Sequence, residues 1–108
     1  MASGDRIYLG EMGRQSHEVY DGAVSTTKVT YDMGLRTITQ ISYITNDDLT
    51  NDLYISFDDT VLTAGVKNGL SGVIRLMPGE SITDMGRKCS KIHFIRLAGT
   101  GNVRFVGV

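Results

Sequence analysis

Tryptophan is absent from this chain of 108 residues, and proline and cysteine occur once each. Each scarcity removes a class of answer. A lone Cys89 cannot close an internal disulfide, so the fold is not a disulfide-stapled scaffold, and the residue reads as a thiol at a strand margin. His17 and His93 are the only histidines, which leaves no zinc-ligand spacing to propose. Aromatic residues make up 7% with no Trp, so a sugar-binding face would lack the side chain that most often builds its platform. No run approaches the ~20 apolar residues of a membrane span. Met1-Ala2-Ser3-Gly4-Asp5-Arg6 lacks the apolar core of a signal peptide, so the expected location is the cytosol until export or assembly. Neither charge predominates: 11 Lys and Arg face 12 Asp and Glu, and no window clusters the cations that a phosphate backbone needs, which disfavours nucleic acid as a partner.

What is present fits one folded domain. Apolar residues account for 41% and charged residues for 21%, too apolar for a disordered chain. The 13 glycines follow no period and read as turns. Side-chain character alternates with period two. In Asp52 to Asp58, Leu53, Ile55 and Phe57 point one way and Asp52, Tyr54, Ser56 and Asp58 the other, the pattern of a half-buried strand. Residues 25 to 33 alternate Thr27, Val29, Tyr31 and Met33 against Lys28, Thr30 and Asp32. Residues 35 to 45 carry Ile38 and Ile44 on one face and Ile41 and Tyr43 on the other, as in a strand whose second face meets another layer or subunit. Further strands are expected at 71 to 77, 81 to 85, 90 to 98 and 102 to 108, the last two joined through Gly99-Thr100-Gly101. No apolar stripe of helical period is sustained.

These segments predict an all-β fold, an antiparallel β-sandwich or jelly-roll-like barrel over residues 23–108, preceded by an extended N-terminal arm over residues 1–22. The arm has four glycines and no period; it is either ordered against neighbouring copies or a mobile tail. Asp32-Met33-Gly34 and Asp84-Met85-Gly86 echo one another, and each reads as a turn relieved by glycine.

Candidate chemistry is sparse. Pro78-Gly79-Glu80-Ser81 has no second glycine after Ser81 and no following helix, so it is not a nucleophile elbow, and Gly79 alone makes no anion cradle. Pro78 suits position i+1 of a type II turn and Gly79 position i+2, which makes the segment a strand connector. Asp47, Asp48, Asn51 and Asp52 are rich in oxygen but lack the spacing of a calcium loop, and Asn46 to Asp52 reads as a solvated turn. An enzyme would need a constellation drawn from Asp47, Asp48, Asp58, Asp59 and His93, which no spacing requires. The expectation is therefore no catalytic, metal or cofactor-binding residues and no cofactor.

Gly72 to Val108 carries Leu76 with Pro78-Gly79-Glu80-Ser81, a short basic turn at Arg87-Lys88, a strand with Ile92 and Phe94, the Gly99-Thr100-Gly101 turn and a last strand with Val103-Arg104-Phe105-Val106. Together with the segment Ile44 to Asp59, this resembles small β-sandwich virion proteins of tailed bacteriophages: capsid decoration, head-fibre-base, neck or tail components. The resemblance implies a non-enzymatic structural component of a virion, assembled in the host cytoplasm. Its partners would be other copies of itself and neighbouring virion proteins, with no nucleic acid and no membrane. The alternative is a host-surface glycan- or protein-binding module that would use Tyr54 or Tyr43.

Overall fold

The period-two segments become strands. The computed structural model describes residues 17–57 and 73–108, and these form eight strands: β1 Glu18–Val24, β2 Val29–Asp32, β3 Ile38–Asp47, β4 Leu53–Ser56, β5 Val73–Leu76, β6 Ser81–Cys89, β7 Lys91–Ile95 and β8 Gly101–Gly107. No helix occurs among the described residues, hence none long and apolar enough to cross a membrane.

The strands make two antiparallel sheets, with order β1-β8-β3-β6 in the first and β2-β7-β4-β5 in the second. Consecutive strands alternate between the sheets everywhere except β4 and β5, which pair directly. Registers set two ends for the molecule. Val24 lies opposite Gly101, Asp47 opposite Asn102 and Leu53 opposite Leu76 at one end. At the other, Glu18 and Ile41 lie opposite Gly107, Ile38 opposite Cys89 and Asp32 opposite Lys91.

Both sheets turn apolar side chains onto one core. Val24, Ile38, Ile41, Ile44, Val103 and Phe105 come from the first sheet, and Leu53, Ile55, Leu76, Ile92 and Phe94 from the second. Full burial of each such side chain stabilises by roughly 1.5–3 kcal/mol. Tyr20 stacks on Phe94 with ring centroids 5.6 Å apart, and Tyr31 tilts against Phe105 at 5.7 Å, so aromatic pairs cross between the layers.

Strand β3 departs from the alternation expected for it. Ile38, Ile41 and Ile44 are all fully buried in the same core, although strict period two places Ile41 on the face opposite the other two. Two irregularities account for this. The Thr39 and Gln40 amides both donate to the Val108 carbonyl, so two residues of β3 face one, and between Ile41 and Tyr43 the pairing with β8 takes up Ser42 as an extra one. Each bulge shifts the phase by one residue and returns the next isoleucine to the core. The second apolar face expected for this strand is thus absent. β4, expected to be half-buried, is instead buried on both faces: Leu53 and Ile55 lie in the main core, Tyr54 packs in a smaller cluster with Val73 and Ile95, and Ser56 is also enclosed.

Other boundaries also shift. Residues 18–22, assigned from sequence to the arm, belong to β1, which runs through position 22 and pairs with β8 along its whole length. Residues 1–16 lie outside the described residues. Arg87 and Lys88, expected in a turn, lie within β6. The Asp-Met-Gly echo is not structural. Gly34 takes a left-handed φ of 67° in a turn, whereas Gly86 lies in β6 with no such conformation and the left-handed residue there is Asp84, at φ 51°.

Candidate functional site

Three connections meet at the end of the molecule where β3 finishes: residues 48–52, 77–80 and 96–100. The middle one is the proline turn. The Glu80 amide donates to the Met77 carbonyl at 3.0 Å and Gly79 has φ 77°, the geometry of a type II turn, as its sequence predicts. The Glu80 carboxylate accepts the Met77 amide at 2.8 Å. The turn is tied to β3 as well, since the Gly79 amide donates to the Asn46 carbonyl and the Asn46 amide to that of Glu80.

Arg96 ties its own connection to that of residues 48–52, and through Asn46 to the proline turn. It follows β7 in phase with Ile92 and Phe94, so its side chain enters the interior, where it is fully buried. Its Nε donates to the Val24 carbonyl at 2.9 Å and its Nη2 to that of Asn102 at 3.1 Å. Its Nη1 donates to Asn46 Oδ1 at 2.9 Å and to the Asn51 carbonyl at 3.0 Å, with a longer contact to that of Asp52 at 3.4 Å. Asp48 Oδ2 supplies a counter-charge 3.9 Å away. Burial draws the guanidinium pKa down and Asp48 opposes that. Asn46 is equally enclosed, its Nδ2 donating to the carbonyls of Asn51 and Leu76. A buried cation with this many acceptors is a structural clasp.

The acidic connection is solvated at Asp47, Leu49 and Thr50, as expected of a turn, but it is anchored from within. Asn46 is fully buried and Asn51 and Asp52 are half-buried. Asp48 accepts the Asn51 amide at 2.9 Å, and that bond chiefly holds its pKa below the usual value, against desolvation and with help from the Leu49 amide and Arg96. Asp47 and Asp52 turn elsewhere, to Arg104 at 3.4 Å and Arg75 at 3.9 Å. Gly99, at φ 74°, completes the packing: a Cβ there would collide with the Asn51 side chain. Among the described residues no three His, Cys, Asp or Glu side chains are grouped as metal ligands would be.

The other residues singled out from sequence are dispersed. Ser81 begins β6 opposite Thr45, and their hydroxyls bond at 2.8 Å. His93 is buried in mid-strand opposite Thr30 and Ser56, with Nδ1 2.9 Å from the Thr30 hydroxyl, and is not brought together with Asp47 or Asp48. Asp58 and Asp59 lie outside the described residues, and His17 is exposed next to β1. Tyr54 is buried and so offers no sugar platform; Tyr43 is half-buried. Cys89 ends β6, and burial pushes its thiol pKa up, opposed by Arg87.

At the opposite end a second polar node joins the sheets. Glu18 on β1 accepts the Tyr31 hydroxyl of β2 at 2.6 Å and Arg36 Nη1 at 2.8 Å. The bond from Tyr31 is the main reason that the Glu18 pKa is lowered; burial acts against it and Arg36 reinforces it. Tyr31 is shifted upward, first by burial and then by Glu18. Nearby, Leu35, Arg36, Thr37, Thr39 and Val108 line a shallow open groove. The large apolar side chains left exposed among the described residues divide between the two ends: Leu49, Met77 and Leu97 at the Arg96 end, and Val19, Leu35 and Val108 at the other.

Sequence reasoning missed Arg96, Asn46 and Glu18. The phase of Arg96 with Ile92 and Phe94 is the one signal that could have found the clasp. Compared with known proteins, the chain matches no family model, no curated protein and no solved structure.

Proposed function

We propose that the two sheets form an eight-stranded jelly-roll β-sandwich and that the chain is a non-enzymatic structural component of a tailed-phage virion, built from several copies. The strand order carries this reading. The eight strands of the described residues, which alternate between two sheets except at β4 and β5 and are ordered β1-β8-β3-β6 and β2-β7-β4-β5, follow jelly-roll connectivity. That architecture recurs in viral capsid proteins, lectins and cupins. The interior separates these uses. Ile38, Ile41, Ile44, Phe94 and Phe105 fill the space between the sheets, where a cupin would hold its ligand-binding side chains. The aromatic side chain best placed in sequence to meet a sugar, Tyr54, is buried. The capsid-type use needs only a firm scaffold with surfaces for neighbours. Fold alone does not decide among functions; the likeness of Gly72 to Val108 to small phage virion proteins supplies the setting, with assembly in the host cytoplasm. Mass spectrometry of density-gradient particles from an infected lysate that contains the chain tests this. Recovery in several copies per particle is expected, and a chain found wholly in the soluble fraction overturns the reading.

A further inference from the structure

Strand addition needs an edge with free backbone groups, and the two sheets differ in what they offer. Among the described residues both edges of the second sheet are short, β2 and β5 having four residues each. The first sheet has long edges, β1 with seven residues and β6 with nine, and among the described residues each pairs on one side only. An unpaired edge of that length is a template for another strand unless charge, proline or a bulge blocks it. β1 has neither proline nor a bulge, since seven consecutive residues meet β8 without a register shift, and its charges are both acidic; β6 has one extra residue between Gly86 and Cys89 and a left-handed Asp84, and its charges are mainly basic, so each edge repels its own kind and admits the other.

The edges differ in charge. β1 carries Asp21, together with Glu18 already paired to Arg36, and no cation. β6 carries Arg87 and Lys88, with Asp84 as its one acid, and Lys91 begins the next strand. Direction matches as well. Each neighbouring pair in the β1-β8-β3-β6 sheet is antiparallel, so β1 and β6 run in opposite senses. A second copy in the same orientation, set beside the first, therefore brings its β1 antiparallel to the first copy's β6. Pairing β1 with β1 of a second copy would instead set acid against acid.

From this we infer that copies of the chain associate edge to edge, the acidic β1 of one adding to the basic β6 of the next, so that the β1-β8-β3-β6 sheet continues from subunit to subunit. The contact is heterologous: it closes into a ring if the rotation between copies permits and otherwise extends as a filament. It rests on the reading of the chain as an assembling subunit and specifies the surface through which assembly occurs.

The test combines light scattering with amide hydrogen exchange on the full chain, from micromolar to submillimolar concentration at low and high salt. Expected are assemblies larger than a dimer that weaken with salt, and amide protection in both β1 and β6 that rises with concentration. Asp21→Lys and Lys88→Glu should each dissociate the assembly, while an equimolar mixture of the two variants reassociates. Circular dichroism identical to the unaltered chain establishes that the variants are folded. An assembly in which β1 and β6 exchange freely overturns the edge contact but leaves the virion reading standing. Protection of β1 alone, unchanged by dilution, assigns that edge to a segment of the same chain and also overturns it. Assembly that survives Lys88→Glu overturns it in favour of a contact without β6. A monomer at every concentration, present in particles nonetheless, overturns it while the virion reading survives; a monomer absent from particles removes both.

Discussion

Arg96 shows how one residue can hold an end of the molecule. A buried guanidinium is tolerated when its donors are satisfied, and here they reach acceptors on β1, β3, the β3–β4 connection and β8. Truncation removes the donors and leaves those acceptors without partners in a site closed to water, a more costly event than loss of an exposed ion pair. Arg96→Ala should lower unfolding free energy by about 3–5 kcal/mol. Arg104→Ala, which breaks an exposed pair with Asp47, should change it by less than about 1 kcal/mol. Urea denaturation of the two variants measures the contrast; equal losses would mean that the clasp has no special role. Arg96→Lys should recover little, because an ammonium cannot span the same fork of acceptors. Glu18 gives a second effect, dependent on pH. Its folded pKa lies below the ordinary value of 4.5, so its bonds to Tyr31 and Arg36 contribute fully above that value and are lost as pH falls through it towards the lowered folded value. Stability of the unaltered chain should therefore drop over that acid range, and Glu18→Gln should flatten part of the drop. Tyr31 acts in the opposite range: its raised pKa means that stability declines as pH rises above 10.0. Denaturation midpoints across pH for the unaltered chain and Glu18→Gln check both signs.

Among the elements, β3 tests whether bulges or simple alternation govern the burial pattern. Simple alternation pairs Ile41 with Tyr43 on one face, whereas the two bulges of β3, at Thr39-Gln40 against Val108 and at Ser42 against β8, put Ile41 in the core with Ile38 and Ile44 and leave Tyr43 half-buried. Ile41→Ala should consequently cost about 2–5 kcal/mol, comparable with Ile44→Ala, and Tyr43→Ala distinctly less. A reversed order in equilibrium unfolding would place the register elsewhere. Sequence made some elements easy to read and concealed others for physical reasons. Leu53 and Ile55 mark the inner face of β4 because the strand is regular, although Tyr54 and Ser56, expected outward, are buried too; Pro78-Gly79 has one turn type that suits both residues. Bulges are invisible to a period count because an extra residue looks like a change of face. β1 was hidden for a related reason: Val19 points outward and Gly22 inward, so its apolar residues do not mark its inner face. The acidic connection was legible as a wet loop, which it is at Asp47, Leu49 and Thr50, but its anchorage was hidden because the cation that holds it lies 44 or more residues further along.

For the molecule as a whole, β8 determines whether the first sheet exists. It lies between β1 and β3, pairing Glu18 with Gly107 on one side and Asp47 with Asn102 on the other, and it supplies Val103 and Phe105 to the core. Its Asn102 carbonyl is also one of the Arg96 acceptors. Terminal segments usually tolerate truncation because little packs on them, but deletion of residues 101–108 would leave β1 without its neighbour, open the core and free one arm of the clasp. The truncated chain should lose its cooperative thermal transition altogether, rather than melt a few degrees earlier. The same pairing governs kinetics: β1 joins β8 across nearly the full described length, so most loop-closure entropy is lost before the pairing rewards it. Refolding from urea is expected on the millisecond-to-second scale typical of non-local β topologies. Microsecond refolding, or a sharp melt in the truncated chain, would show that the first sheet forms without its central strand.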